Sequence, residues 1–298
     1  MLQKALKKIK DLKKKKKLAK DKKNLDAVLK SFVANGSIPW SPGYAFHKKQ
    51  SIIHSISNSS LLEGIRNKQL PEGFGYRLDE RVIEYAWIFA NLTNTPQKML
   101  DAGSTFNFNY LVKHPHISNK ELTIFTYAPE EVAFYKNRIS YVFGDLREMY
   151  FKDAYFDLVV SQSTIEHIDM DNSMYGYELE HNQQEDTKSY EYLKAISEMF
   201  RVLKSKGTLL LTFPFGAFEH HGFFQQFDQE MLSKITQFLE PNGTVETTFF
   251  TYEPQGWRFA QMEELDEVVS HNPHTGKGFG KDYAAHSRAV ACIKFIKH

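Results

Sequence analysis

Residues able to do chemistry recur at regular places along this chain, each just past a short apolar run. The first run, "KMLDAG", ends in Asp101, Ala102 and Gly103, and Ser104 to Asn107 turn away from it. A small residue there lets the backbone approach a ligand closely, and free amides can meet a carboxylate. The second run ends in Thr126 and Tyr127, the third in Gly144, Asp145 and Leu146, and the fourth in Ser161, Gln162, Ser163 and Thr164. Glu166 and His167 come next. Histidine is the side chain best matched to proton transfer near neutral pH, and an adjacent acid can orient it. The alternative is a pair that caps a turn and packs a loop. His220 and His221, in "FPFGAFEHHGFFQQFD", offer a second base candidate among aromatics. Neither a His-Glu-x-x-His helix nor a cysteine cluster accompanies these histidines, so no metal is expected. Arg77, Arg81 and Arg147 carry guanidinium forks that suit phosphate or carboxylate. Asp79, Glu80, Glu84 and Glu148 offer the same arginines plain ion pairs.

Positioning these groups requires a frame, and the apolar periodicity supplies one. From Leu78, residues Val82, Tyr85, Ala86 and Phe89 follow helical spacing, so "LDERVIEYAWIFANL" reads as a helix leading into the core. Beyond it "KMLDAG", "LTIFTYAP", "ISYVFGD", "FDLVVSQS" and "TLLLTFP" read as strands, with "EVAFYKN" and "YEYLKAISEMFRVLK" among the helices between them. Such alternation predicts βαβ units and an α/β fold with a largely parallel, doubly wound sheet, whose ligands lie at the carboxyl ends of the strands. The tail adds a helix in "DQEMLSKITQFL", the strand "TVETTFF", a helix near Glu263 to Val269 and a final strand "AVACIKFI". The expected organisation is a basic helical arm over 1–30, an N-terminal cap and lead-in helix over 31–90, and one domain over 91–298. "DMDNSMYGYELEHNQQEDT" is long and polar enough to be a specificity loop, with Tyr175 and Tyr177 able to cover a substrate. "HTGKGFGK" lacks the Walker spacing and reads as a mobile loop.

Taken in order, the strand ends over about residues 97–215 resemble the Rossmann-like class I S-adenosylmethionine-dependent methyltransferases, in particular the methyltransferase type 11 branch. "MLDAGSTFN" stands where that family has its acidic and glycine-rich first motif. "GDLREMYFKDAYFDLVVSQSTIEHI" matches the stretch with an adenine-facing acid, here Asp145, and an "EH" pair, here Glu166 and His167. "MFRVLKSKGTLLLTFP" resembles the family's helix, turn and strand. The resemblance implies a mostly parallel seven-stranded sheet with helices on both faces, and S-adenosylmethionine as cofactor. Asp101, Ala102, Gly103, Ser104, Thr126, Tyr127, Asp145, Leu146, Gln162 and Ser163 would bind it, and His167, His220 and His221 would serve catalysis. The chain departs from the pattern where Thr105 and Asn107 replace glycines, and where Thr126 replaces the acid that accepts from the ribose hydroxyls. Glu130, four residues on, is an acid able to compensate. The long cap and "GYRLDER" resemble the branch associated with surface-polysaccharide assembly, which implies a sugar, phospho-sugar or phosphoramidate acceptor on a glycan precursor. The competing expectation is a non-catalytic methyltransferase-like scaffold with an eroded cofactor site.

Charge sharpens the question of partners. Residues 1–30 hold thirteen Lys against Asp11, Asp21 and Asp26, a net +10 within a total of +2. The remainder is acidic and lacks a basic stripe interleaved with aromatics, which disfavours nucleic acid. The arm suits peripheral contact with an anionic membrane, where each Lys adds about 1 kcal/mol; a solvated tail is the other reading. No apolar stretch is long enough to span a bilayer, and no cleavable leader follows the lysines, so a cytoplasmic protein at the inner membrane face is expected. The single Cys292 lies in apolar company and reads as a small buried hydrophobe.

Overall fold

The computed structural model describes residues 24–173, 176, 187–275 and 278–298. Most of the basic arm lies outside them, as do Tyr175, Tyr177 and much of the expected specificity loop. A helix over 24–34 (α1) opens the described chain, followed by α2 (Tyr44–Ser57), α3 (Ser59–Arg66) and α4 (Arg81–Asn91). Every residue from Val82 to Ala90 is buried, because α2 and α3 cover one side of α4 while the sheet covers the other. The expected start at Leu78 moves to Arg81: the Asp79 carboxylate accepts from the Arg81 amide at 3.2 Å and ends the preceding turn.

The sheet follows as β1 (Lys98–Ala102), β2 (Glu121–Thr126), β3 (Ser140–Phe143), β4 (Phe156–Gln162) and β5 (Leu203–Pro214), all parallel, in the order β3-β2-β1-β4-β5. Strands β8 (Gly243–Glu253), β9 (Gly256–Ala260) and β10 (Ala289–Lys297) complete it. β10 inserts antiparallel between β5 and β8, and β9 folds back on β8. Successive strand residues enter opposite cores. Met99, Ile124, Leu158 and Leu210 pack toward α4, whereas Leu100, Phe125, Val159 and Leu209 pack toward two later helices, α5 (Tyr192–Val202) and α6 (Gln229–Leu239). Burial on both faces explains why these strands are continuous apolar runs. This is a doubly wound, Rossmann-like fold, in which the order reverses between β1 and β4 and leaves a crevice at their carboxyl ends.

The structure departs from the sequence expectation in several elements. The sheet has eight strands rather than seven, since β9 extends it as a hairpin anchored where Trp257 Nε1 donates to Leu78 O at 3.0 Å. "EVAFYKN" holds only a 3₁₀ turn at Tyr135–Asn137. Its backbone is claimed by side chains instead: Asn107 Nδ2 donates to Val132 O at 2.8 Å and the Phe134 amide donates to Tyr141 Oη at 2.8 Å. The expected helix near Glu263 is likewise a 3₁₀ turn at Met262–Glu264, closed by a capping box between Gln261 and Glu264. "LKSKG" is a bulge within β5, where Leu203 pairs with Phe156 and Thr208 with Leu158, and Lys206 takes φ 64°.

Candidate active site

A crevice of about 360 Å³ opens at the carboxyl ends of β1 to β4, within the roughly 300–1,000 Å³ usual for small ligands. Gly103 lies at its base with φ 125°, and a Cβ there would stand 2.1 Å from Thr164 Oγ1. Only glycine lets the loops after β1 and β4 approach this closely. Asp101 and Ala102 are fully buried behind the crevice and brace it from below. The Asp101 carboxylate accepts from the amides of Thr105 (3.1 Å) and Phe106 (2.8 Å) and from Thr105 Oγ1 (3.1 Å). Burial pushes its carboxyl up to about 7 against the opposing pull of those bonds. The Asp101 carboxylate thus holds the loop through Thr105, one of the two residues that stand where the family pattern has glycines.

Ser104, Thr126, Tyr127 and Leu146 line the crevice, together with Glu130 and Asp145. Ser104 Oγ donates to Glu130 Oε1, and Asn107 Nδ2 donates to Glu130 Oε2 at 2.7 Å. Tyr127 Oη donates to Asp145 Oδ2 at 2.8 Å, while Arg147 places its amide, Nε and Nη2 on the same carboxylate. Arg147 Nη1 reaches Glu191 at 3.2 Å. Burial alone would raise the Asp145 carboxyl, but the Arg147 hydrogen bonds outweigh it and hold it below the usual range.

Beyond β4 the site rests on Glu84, a fully buried acid of α4. Its carboxylate accepts from Arg81 Nη1 (3.1 Å), Gln162 Nε2 (3.2 Å), Thr212 Oγ1 (2.6 Å) and Ser163 Oγ. Gln162 is therefore below the crevice, whereas Ser163, at φ 38°, lines it together with Arg81. Sequence reasoning treated Glu84 only as an ion-pair partner; the available signal was an acid inside an otherwise apolar helical stretch. Arg77 turns elsewhere, donating to Gly36 O and stacking on Tyr283 at 3.4 Å.

His167 lines the crevice, and its Nδ1 stands 2.6 Å from Phe223 O. Donation to that carbonyl puts the ring proton on Nδ1 and leaves Nε2 as the basic nitrogen. Burial lowers the imidazole to about 4, so it is neutral at physiological pH. Glu166 Oε1 lies 3.9 Å from Nε2, too far for a hydrogen bond. Burial also pushes the Glu166 carboxyl well above the usual range. His220 and His221 belong to a small hairpin, β6 (Glu219–His220) with β7 (Gln225–Gln226), and do not line this crevice. His221 stacks on Phe224 at 4.3 Å, with Nε2 3.0 Å from Glu219, and the Gly222 amide donates to His220 Nδ1 at 3.2 Å. Phe224 also stands 6.2 Å from the His167 ring, so one aromatic ring lies between His167 and His221.

Residues 100–211 match the family described as "Methyltransferase domain". None of the curated proteins matches the chain. Among solved structures it is similar to the Burkholderia thailandensis 1,6-didemethyltoxoflavin-N1-methyltransferase, with 12% identity, 72% of this chain and 76% of that one covered, and a TM-score of 0.39. It is also similar to phosphoethanolamine N-methyltransferase 2 of Haemonchus contortus, with 16% identity, 70% and 50% covered, and a TM-score of 0.42. The match places a methyltransferase domain over residues 100–211 of the chain.

Proposed function

We propose that this S-adenosylmethionine-dependent methyltransferase domain methylates a small acceptor, a sugar, phospho-sugar or phosphoramidate group of a surface-glycan precursor. The supporting observation is one continuous crevice that joins the Gly103 loop and Asp145 to a neutral His167. In this reading Gly103, Ser104, Thr126, Tyr127, Asp145, Leu146 and Ser163 face the cofactor, while Asp101, Ala102 and Gln162 hold the strand ends in place. The cofactor supplies an activated methyl group on a sulfonium. Ser163, Thr164 and His167 position the acceptor, and His167 Nε2 takes its proton as the methyl arrives. Arg81, whose side chain is 30% exposed beside the crevice, meets an anionic group on the acceptor. The arm over residues 1–30, with its net +10, keeps the domain beside a lipid-linked substrate.

One observation favours the scaffold reading: the oxygens of Asp145 are already taken by Tyr127 and Arg147. Calorimetric titration with S-adenosylmethionine and S-adenosylhomocysteine separates the two. An active domain gives saturable heat and a raised melting temperature with both. A folded protein that gives neither is a scaffold.

A further inference from the structure

The charged groups lining the crevice do not balance. Arg147 is taken up by Asp145 and Glu191, and Arg81 by Glu84. That leaves the acids Glu130 and Asp169, and no ion pair reaches either among the described residues. Glu130 is tied through Ser104 to the loop after β1, whereas half-buried Asp169 follows His167 by two residues. Asp169 takes φ 64°, a conformation uncommon outside glycine, and such departures cluster where a fold presents a side chain to a ligand. Asn172 closes the turn that carries it, donating from Nδ2 to His167 O at 3.0 Å and to Met170 O at 2.8 Å. On the other side Ser189 Oγ donates to Asp169 Oδ2 at 2.6 Å. Ser189 is itself buried and held twice by Gln225, whose Nε2 donates to Ser189 O at 2.9 Å and whose Oε1 accepts from the Ser189 amide at 3.1 Å. An ionised carboxylate offers about four acceptor positions, and Ser189 fills one. Asp169 therefore has a fixed place in the crevice and open acceptor positions, with no cation beside it among the described residues.

We propose that Asp169 binds an ammonium group of the acceptor, so that the glycan precursor methylated beside His167 carries an amino sugar. This rests on the acceptor reading above, with Ser189 and Gln225 as positioning residues. A hydroxyl also donates to a carboxylate, but a half-buried charge is compensated only by an opposite charge, and the hydrogen bond between two ionised partners is the stronger one. Arg81 lines the same crevice, so an acceptor with one ammonium and one phosphate meets both charges.

The test is calorimetric titration of glucosamine 6-phosphate and glucose 6-phosphate, which differ only in an amino group against a hydroxyl. Each is added at slightly acid pH, where the amine is an ammonium, to the full chain saturated with S-adenosylhomocysteine, and likewise to Asp169→Asn and Ser189→Ala. The wild type should bind the amino sugar about tenfold or more tightly than its hydroxyl counterpart. Asp169→Asn should abolish that preference while leaving the affinities for glucose 6-phosphate and S-adenosylhomocysteine in place. Asparagine still accepts from Ser189 and tolerates a positive φ, so an unchanged melting temperature verifies the fold. Ser189→Ala should lose part of the preference. Sugar phosphates that bind the wild type without preference, or a preference that survives Asp169→Asn, overturn the proposal. A wild type that takes up S-adenosylhomocysteine and neither sugar phosphate overturns the acceptor reading on which the proposal rests.

Discussion

Replacing Glu84 by Ala tests whether the crevice floor depends on one buried carboxylate. The substitution strands four donors at once: Arg81 Nη1, Gln162 Nε2, Ser163 Oγ and Thr212 Oγ1. Arg81 is 30% exposed and can turn to water, whereas Gln162 and Thr212 are fully buried and cannot. Breaking a buried charge network by removing one partner costs about 3–5 kcal/mol, and the part-exposed arginine places this case at about 4 kcal/mol. Against a total stability of roughly 5–15 kcal/mol the protein should still fold. Its melting temperature should fall by about 8 °C or more at roughly 2 °C per kcal/mol for a chain of this size. Glu84→Gln keeps the shape and one acceptor oxygen and should lose only about 1–2 kcal/mol. Urea denaturation followed by circular dichroism measures both. Because Ser163 is held at φ 38° by this carboxylate, Glu84→Ala should also weaken S-adenosylhomocysteine binding in the folded fraction. Equal midpoints for the Ala and Gln variants, or an Ala variant within about 1 kcal/mol of wild type, would refute the argument.

Gly103→Ala should lower S-adenosylhomocysteine affinity more than about tenfold and cost about 1–3 kcal/mol of stability, because φ 125° and the 2.1 Å approach to Thr164 both oppose a Cβ; calorimetry and thermal melts check this. His167→Ala should lower turnover by about a hundredfold with ligand affinity nearly unchanged, as steady-state kinetics and titration would read separately. The imidazole is lowered to about 4 in the fold against about 6.5 when unfolded, so between those values the unfolded state binds more protons and stability falls as pH falls. His167→Gln should remove about one proton's worth of that slope from urea midpoints collected between pH 7 and 4; a parallel pair of curves counts against a buried neutral imidazole. Deleting residues 1–24 should leave melting temperature and ligand affinity unchanged while reducing salt-sensitive sedimentation with anionic vesicles, and undiminished sedimentation would make the arm an inert tail.

Local pattern alone was sufficient for the strands and their ends. Apolar runs at β1, β2, β4 and β5 are legible because both faces of each are buried, and Asp101, Gly103, Asp145 and His167 are legible because they follow those runs. Composition likewise isolated the basic head from the acidic remainder. The tertiary structure decided which of these groups share a space. It put Gln162 beneath the crevice on Glu84, 78 residues away in sequence, and it set His220 and His221 on a separate hairpin. It gave Glu130 its place through Ser104 and Asn107, 26 and 23 residues upstream. It also unmade the helix written in "EVAFYKN", since Asn107 claims a carbonyl and Tyr141 an amide that a helical ladder needs. Hydrophobic period is a property of neighbours along the chain and survives in the sequence. A hydrogen-bonded carboxylate depends on donors brought from distant segments, and only folding determines which of them arrive.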